Sequence, residues 1–428
     1  MNPILELNKV QEKYCPSLFS MFGKVTDPRH QSYITYGMKE ALGTLYYKYL
    51  AGLVSMRSMT EWFENEATTR NIYSFVGVPS REFLPHHQTL NELLVRVDPE
   101  EIERIMQKIV YRLIRRKSFD EAKYRKRWSV LVDATETYSG KRCVNDRCLQ
   151  RRHKNENGEE TINYYSSVLE AKIYLGNDIV ASIASEFIEN HGEDFERQKQ
   201  MSAEAIKQDC ETKAFKRLAS KLKEAFPHLP ICIQGDSLYA SEPVMDICKE
   251  NHWDYILRYK GGSIPSIEEE YELIPEKCKA GNAEYVNDIG YKKHEVNVLR
   301  YSDTKRSGEG VQFQFLTNIP VTKRNAEKLA QIGRNRWKIE NQGFKRQKQE
   351  VGDITHLCSW NDRAMKNHYL MQQIADLFRR LYEVEYLMKH EIVKTQRKVS
   401  SDFLHSLSQP AETEDTFPPN KAKQTALC

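Results

Sequence analysis

A mixed α/β fold preceded by a helical region is predicted by three features of the 428-residue chain. Over roughly the first 120 residues, apolar side chains recur at helical spacing and nothing alternates like a strand. At Trp128 the texture changes to compact β-rich runs, which then alternate with helical segments and imply a mixed sheet. A further group of alternating runs fills residues 265–320 before the chain turns helical again.

Each element follows from its own pattern. "YGMKEALGTLYYKYLAGL" and "RSMTEWFENE" read as helices, and "TLNELLVRVDPEEIERIMQKIVYRLIRRK" as two more, with Asp98 and Pro99 marking a stop and a restart. "RWSVLVDATETYSG" holds a short apolar strand, Val130 to Val132, ending at Asp133. "SSVLEAKIYLG" and "DIVASIASEFI" are strand-length and rich in β-branched residues. A helix follows with apolar positions Ala214, Phe215, Leu218, Leu222 and Phe226. Next come the strand "PICIQGD" ending at Asp236, a helix from about Glu242 to Asn251, and a strand from Asp254 to Lys260. "NAEYVNDIG", "KKHEVNVLRYSD" and "VQFQFLTNIP" form a β-rich insertion. From Thr322 the chain is helical, with its longest stretch from Asp362 to Leu387. From residue 395 to residue 428 it is polar and Pro-containing, and a mobile tail is expected.

Composition sets the class. Hydrophobic residues are 40% and charged residues 29%, which suits a soluble protein with an ordinary core. The formal net charge of +4 does not by itself call for nucleic acid, but the cations are clustered, in Arg112 to Arg127 and again in Arg334 to Lys348. Nine scattered cysteines point to a reducing compartment. The N-terminus lacks the basic start and apolar run of a signal peptide. Leu42 to Met56 is too short to span a bilayer and carries Lys48, so it reads as a buried helix. A cytoplasmic protein without a membrane partner is expected.

Asp133 and Asp236 share a setting, each just after an apolar run. Functional groups gather at strand ends in α/β sheets, where rigid strands hold them and loops leave them open. Two converged carboxylates repel unless a cation separates them. A third, Glu340, would complete a hard oxygen site for Mg²⁺, with Mn²⁺ as a substitute. Three acids around two metal ions about 3.5–4 Å apart is an arrangement for in-line phosphoryl transfer. Glu340 lies among cations, Lys345 included, which suits a site that grips a DNA backbone beside a metal-bound phosphate. On an α-helix Arg336, four positions earlier, is about 40° from Glu340 and on its face.

These motifs resemble the DDE transposases of bacterial insertion sequences, in the group with a β-strand insertion before the glutamate. "LVDATETYSG", "GDSLYASEPVM" and "RNRWKIENQGFKRQK" resemble its three acidic motifs, in order. "FLTNIP" resembles its Thr-Asn strand end, and "DPRHQ" its helical region before the core. The resemblance covers about Asp27 to Leu387 and implies a ribonuclease-H-like mixed sheet. It implies divalent-metal cleavage of double-stranded DNA at the element's terminal inverted repeats, then transfer of the 3′-hydroxyl into target DNA, by a homodimer or higher oligomer on paired ends. It makes Asp133, Asp236 and Glu340 the catalytic metal ligands, with Arg336 and Lys348 on DNA. The implied parts are a DNA-binding region at 1–122, the first part of the core at 123–264, the insertion at 265–320, and the glutamate-bearing part at 321–394. The family's third signature is Tyr, two residues, Arg, three residues, Glu, six residues, Lys. Here Gly333 stands at the Tyr position and Gln347 at the Lys position, with Lys348 one later. In a regular helix, eight residues on from Glu340 leaves its face by about 80°.

Other residues take plainer readings. Trp337 is expected in the core with Ile339, Glu170 and Glu186 on exposed strand faces, and Arg112 to Arg127 along phosphates. Two alternatives stay open: a catalytically inactive or domesticated DNA-binding derivative, and a glycosidase using two of the carboxylates.

Overall fold

The computed structural model describes residues 2–410 except 155–157, 159, 191–208 and 305–307. Seven helices come first: α1 (Pro3–Tyr14), α2 (Leu18–Phe22), α3 (Met38–Leu50), α4 (Met56–Phe63), α5 (Glu66–Val76), α6 (His87–Leu94) and α7 (Pro99–Ile114). α7 shows why they form. Asp98 caps it by accepting from Glu100 N, Pro99 opens it, and Glu100 and Glu101 face the positive end of its dipole. Ile102, Ile105, Met106, Ile109 and Leu113 then return to one buried face. α3 is buried along almost its whole length, as expected of a core helix. No helix among the described residues is long and apolar enough to cross a membrane.

Ten strands form one mixed sheet: β1 (Trp128–Gly140), β2 (Leu149–Lys154), β3 (Glu160–Tyr174), β4 (Val180–Ile188), β5 (Ile231–Gly235), β6 (Asp254–Tyr259), β7 (Cys278–Ala280), β8 (Ala283–Tyr291), β9 (His294–Thr304) and β10 (Gly310–Thr317). Their order is β2-β3-β1-β5-β6-β10-β9-β8-β7, with β4 also on β3. The strands of the expected insertion therefore continue the central sheet instead of making a second one. β1, β5 and β6 are mutually parallel, joined through α8 (Glu211–Ala225) and α9 (Glu242–Glu250). β1 is much longer than its apolar run, because "ATETYSG" goes on pairing with β3 to Gly140. β2 was not expected.

α10 (Pro265–Leu273) opens the insertion region, and α11 (Ala326–Arg334) follows the sheet. Wide helical turns at Ile339–Lys345 lead into α12 (Arg346–Gln349). The long α13 (Asp362–Tyr382), capped by Asn361, runs through the middle of the molecule and packs on α3 and α7. One continuous apolar core joins the N-terminal helices, the parallel strands and α13.

The expected tail needs correction. Gln396–Leu407 is a helix, α14, capped by Thr395. It buries Val399, Phe403 and Leu407, and Asn71 donates to the Leu407 and Gln409 carbonyls. Three apolar residues spaced four apart give it a docking face that outweighs its polar composition. The rest of the expected tail, 411–428, lies outside the described residues.

Candidate active site

The parallel register builds the site. Leu131 is the last β1 residue paired with β5, opposite Gln234, so Asp133, two residues further along β1, and Asp236, just past the end of β5, emerge at the same end of the two parallel strands. Glu340 arrives from the helical side, at the start of the wide turns. Arg336 ties it in: Nη1 donates to Glu340 Oε1 at 2.7 Å and to Asp133 Oδ2 at 3.2 Å. Asp133 is buried except for 17% of its side chain. Burial pushes its carboxyl up to about 7, Arg336 opposes that, and the charges of Glu340 and Asp236 push it further up. The three acids therefore share one electrostatic environment. Asp236 accepts from Leu238 N at 2.8 Å, which fixes the turn that carries it.

Among the described residues, no three acid, histidine or cysteine side chains are drawn close enough to grip one ion as they stand. The donor set itself, three carboxylates with an under-compensated negative charge, fits a hard divalent cation.

The helix that carries Glu340 departs from the expected geometry. Ile339–Lys345 bonds from residue i to i+5, so each turn holds one residue more than an α turn. The position eight on from Glu340 thereby returns toward the face that the position seven on would hold in a regular α-helix. Lys348 is half-buried there: burial lowers its pKa, and the carboxylates of Glu136, on β1, and of Asp353 raise it in part. Gln347 is rotated into the core, where its Nε2 donates to Gln373 Oε1 at 2.9 Å and Asp376 Oδ2 at 2.8 Å. The wide turns thus shift the register of the residues that follow Glu340. Lys345 stays exposed. The next residue, Arg346, is 2% exposed and grips Glu383 with both Nη atoms at 2.7 Å, pinning this helix to the end of α13.

Gly333 has its own steric reason. α11 approaches β6 and β10 so closely there that an added Cβ would lie 2.6 Å from Phe315 Cε1.

Four readings change. Trp337 is 52% exposed and lies beside Arg336, while Ile339 alone enters the core. Glu170 is fully buried, held by Ser182 and Ser185 on β4 and close to Lys172. Glu186 is buried and paired with Arg217 and Lys221. The basic run Arg112 to Arg127 is partly spent internally. Arg112 donates to Ser17 Oγ and Arg116 to the Lys13 carbonyl, and Arg127 pairs with Asp254 at the N-terminal ends of the parallel strands, away from the acids.

One residue escaped the sequence reading. Gly235 pairs with Leu257, so the next step sets Arg258 beside Asp236. Its guanidinium lies against the rings of Phe313 and Phe315, with Nη1 buried and without a hydrogen-bond partner among the described residues. Burial and the nearby Arg336 lower its pKa. The signal was there: an arginine inside the otherwise apolar strand "DYILRY".

Comparison with known proteins bears on this geometry. Residues 207–375 match the family described as "Transposase DDE domain", and residues 19–110 match one described as "DDE_Tnp_1-associated". Together the matches span well over half of the chain. Among solved structures, a piggyBac transposase synaptic complex with hairpin DNA aligns over 99% of this chain and 87% of its own, at 12% identity and a TM-score of 0.44. No curated protein matches. With two acids at the same end of two parallel strands, a third on a helix tied to them by Arg336, and both family matches in order along the chain, the chain belongs to the DDE transposases.

Proposed function

We propose that this transposase cleaves DNA at the ends of its own mobile element and transfers the freed 3′-hydroxyl into target DNA, with Mg²⁺ held by Asp133, Asp236 and Glu340. The observation that carries the reading is the Arg336 guanidinium linking Glu340 to Asp133, with Asp236 emerging at the same end of the next strand. Bound divalent metal would supply Lewis-acid activation of the attacking oxygen and charge stabilisation at the leaving oxygen. Asp133, whose carboxyl is raised to about 7, would give up its proton when it binds metal.

The protein's cations have a separate task. Arg336 is only 11% exposed and, with Arg258, forms a cationic wall beside the acids. Arg258 Nη1 is buried with no acceptor among the described residues, so its charge adds to the attraction for a DNA phosphate without a direct bond. When phosphate arrives, Arg336 can turn from the carboxylates to the backbone and so leave the acids free for metal. Lys348 and Lys345 would extend this contact along the helix. Sequence-independent phosphate contacts of this kind position the strand without selecting bases. The protein is expected to work as a homodimer or higher oligomer, with double-stranded DNA as both substrate and target.

The test is direct. Asp133→Asn, Asp236→Asn and Glu340→Gln are each assayed for Mg²⁺- and Mn²⁺-dependent nicking of a duplex carrying the element's ends. Each should lose cleavage and keep DNA binding. Wild-type cleavage by any one of them rejects the assignment. Bound but uncut DNA with the unaltered chain favours the inactive derivative instead.

A further inference from the structure

We infer that the groove between α14 and the N-terminal helices, with Lys348 at its inner end, carries the backbone of a DNA strand leaving the active site. This rests on the reading of the three acids as a DNA-cleaving centre. The outer wall of the groove is α14, which lies beyond both family matches. Arg397, Ser401, Leu404, His405 and Ser408 all line the groove. At 3.6 residues per turn they fall within one stripe of the helix, opposite the buried Val399, Phe403 and Leu407.

That stripe contains no acid. The helix's one carboxylate, Asp402, points elsewhere and is held by Lys394 and Lys398. Arg397 is exposed and has no acid partner among the described residues. From Arg397 to Ser408 the stripe is about 16 Å long, the axial rise of roughly five nucleotides of a duplex strand. Arg397, Ser401 and His405 are donors for successive phosphate oxygens, while Ser408 Oγ already donates to the His405 carbonyl at 2.9 Å.

Trp62 stands on the other wall, 58% exposed, where an indole can cover a sugar or a base. The groove's two acids, Glu350 and Asp353, both belong to the segment just after Lys348, and Asp353 is engaged by Thr355 N and Oγ1. The wall itself is firm. Arg379, fully buried, donates to Ser400 Oγ at 2.8 Å and to the Leu50 carbonyl at 3.1 Å, locking α14 to the end of α3. A rigid donor row needs no reordering on binding, which favours affinity.

The full chain would be titrated against a fluorescein-labelled mixed-sequence DNA duplex by anisotropy at several salt concentrations. Arg397→Glu should weaken binding about tenfold and lower the slope of log affinity against log salt by about one. Trp62→Ala should weaken binding with an unchanged slope, and Lys249→Glu, a matched reversal on α9, should do neither. A photo-crosslinker on Ser401→Cys should capture the DNA. Parental affinity and slope in both groove variants, or no crosslink from Ser401→Cys, overturns the inference. Mg²⁺-dependent nicking by the same proteins keeps the outcomes apart: nicking with an uninvolved groove leaves the active-site reading standing.

Discussion

Gly333 faces the ring of Phe315: a Cβ built on it would lie 2.6 Å from Cε1 and 2.9 Å from Ile256 Cγ2. Both neighbours are buried and belong to the sheet, so neither is a flexible side-chain end. Overpacking of this kind costs about 1–3 kcal/mol when the surroundings adjust. Gly333→Ala is expected to lower the melting temperature by several degrees, and Gly333→Tyr, which restores the family signature, to do more harm. The shift of α11 would also move Arg336, three residues later. Cleavage should therefore fall further than stability alone explains. Phe315→Leu should partly rescue Gly333→Ala in a melting experiment, and equal losses in the single and double variants would count against the steric account.

Gln347 and Lys348 are adjacent in sequence and have opposite tasks. Gln347 joins Gln373 and Asp376 in a buried network that also takes in Lys172. Gln347→Leu leaves buried polar groups without their partner, a loss of about 1–3 kcal/mol, and should leave DNA affinity of the folded protein unchanged. Lys348→Ala should weaken DNA binding and lower the salt slope by about one, with little change in melting temperature. If Gln347→Leu lost DNA affinity while Lys348→Ala bound normally, the register given by the wide turns would be wrong.

These two cases show what the sequence reveals and what it hides. The acids that follow the apolar runs of β1 and β5 were legible because each run marks a buried strand on its own, but only Asp236 stands at a strand end, since β1 goes on past Asp133 to Gly140. The order of strands and helices was legible for the same local reason. The wide turns at Ile339–Lys345 were not, because a seven-residue stretch of mixed polarity has no periodicity that separates i+4 from i+5 bonding. Glu170 was misread because its partners, Ser182 and Ser185, come from the next strand, and only strand pairing brings them under it. α14 was hidden by its polar composition, although Val399, Phe403 and Leu407 carry the spacing. Arg258 was passed over because its neighbours Asp236, Phe313 and Phe315 are remote in sequence.

Glu383 anchors the glutamate-bearing helix and gives a prediction in acid. It is 5% exposed and receives Arg346 through two hydrogen bonds, with Arg380 on the same carboxylate. Burial alone would raise its pKa, but the arginines outweigh burial and hold it down at about 2. A depressed carboxylate stabilises the fold above the unfolded-state pKa of about 4.3, and that contribution is lost as pH falls toward 2. Glu383→Gln should lower stability at pH 7 and flatten the dependence between pH 4 and 2 in urea titrations. Breaking a buried pair by removing one partner costs about 3–5 kcal/mol. A variant as stable as the parent at neutral pH would remove Arg346 as the anchor.

Asp133 behaves in the opposite sense. Its folded-state carboxyl is raised to about 7, first by burial and then by Glu340 and Asp236, against the pull of Arg336. Unfolded, it ionises near pH 3.9. As pH rises between these two values the unfolded chain releases a proton that the folded chain keeps, so Asp133 costs stability progressively and the full cost is present above about 7. Asp133→Asn should therefore melt higher than the parent at pH 8, and that advantage should shrink toward pH 4. Binding a divalent cation requires the ionised form, so Mg²⁺ affinity should rise about tenfold per pH unit below 7 and level off above it. Calorimetric titration of Mg²⁺ into the parent chain across this range, with proton release followed in buffers of different ionisation enthalpy, measures both effects. A Mg²⁺ affinity that does not change with pH would mean that Asp133 is not a metal ligand, whatever its place beside Asp236 and Glu340.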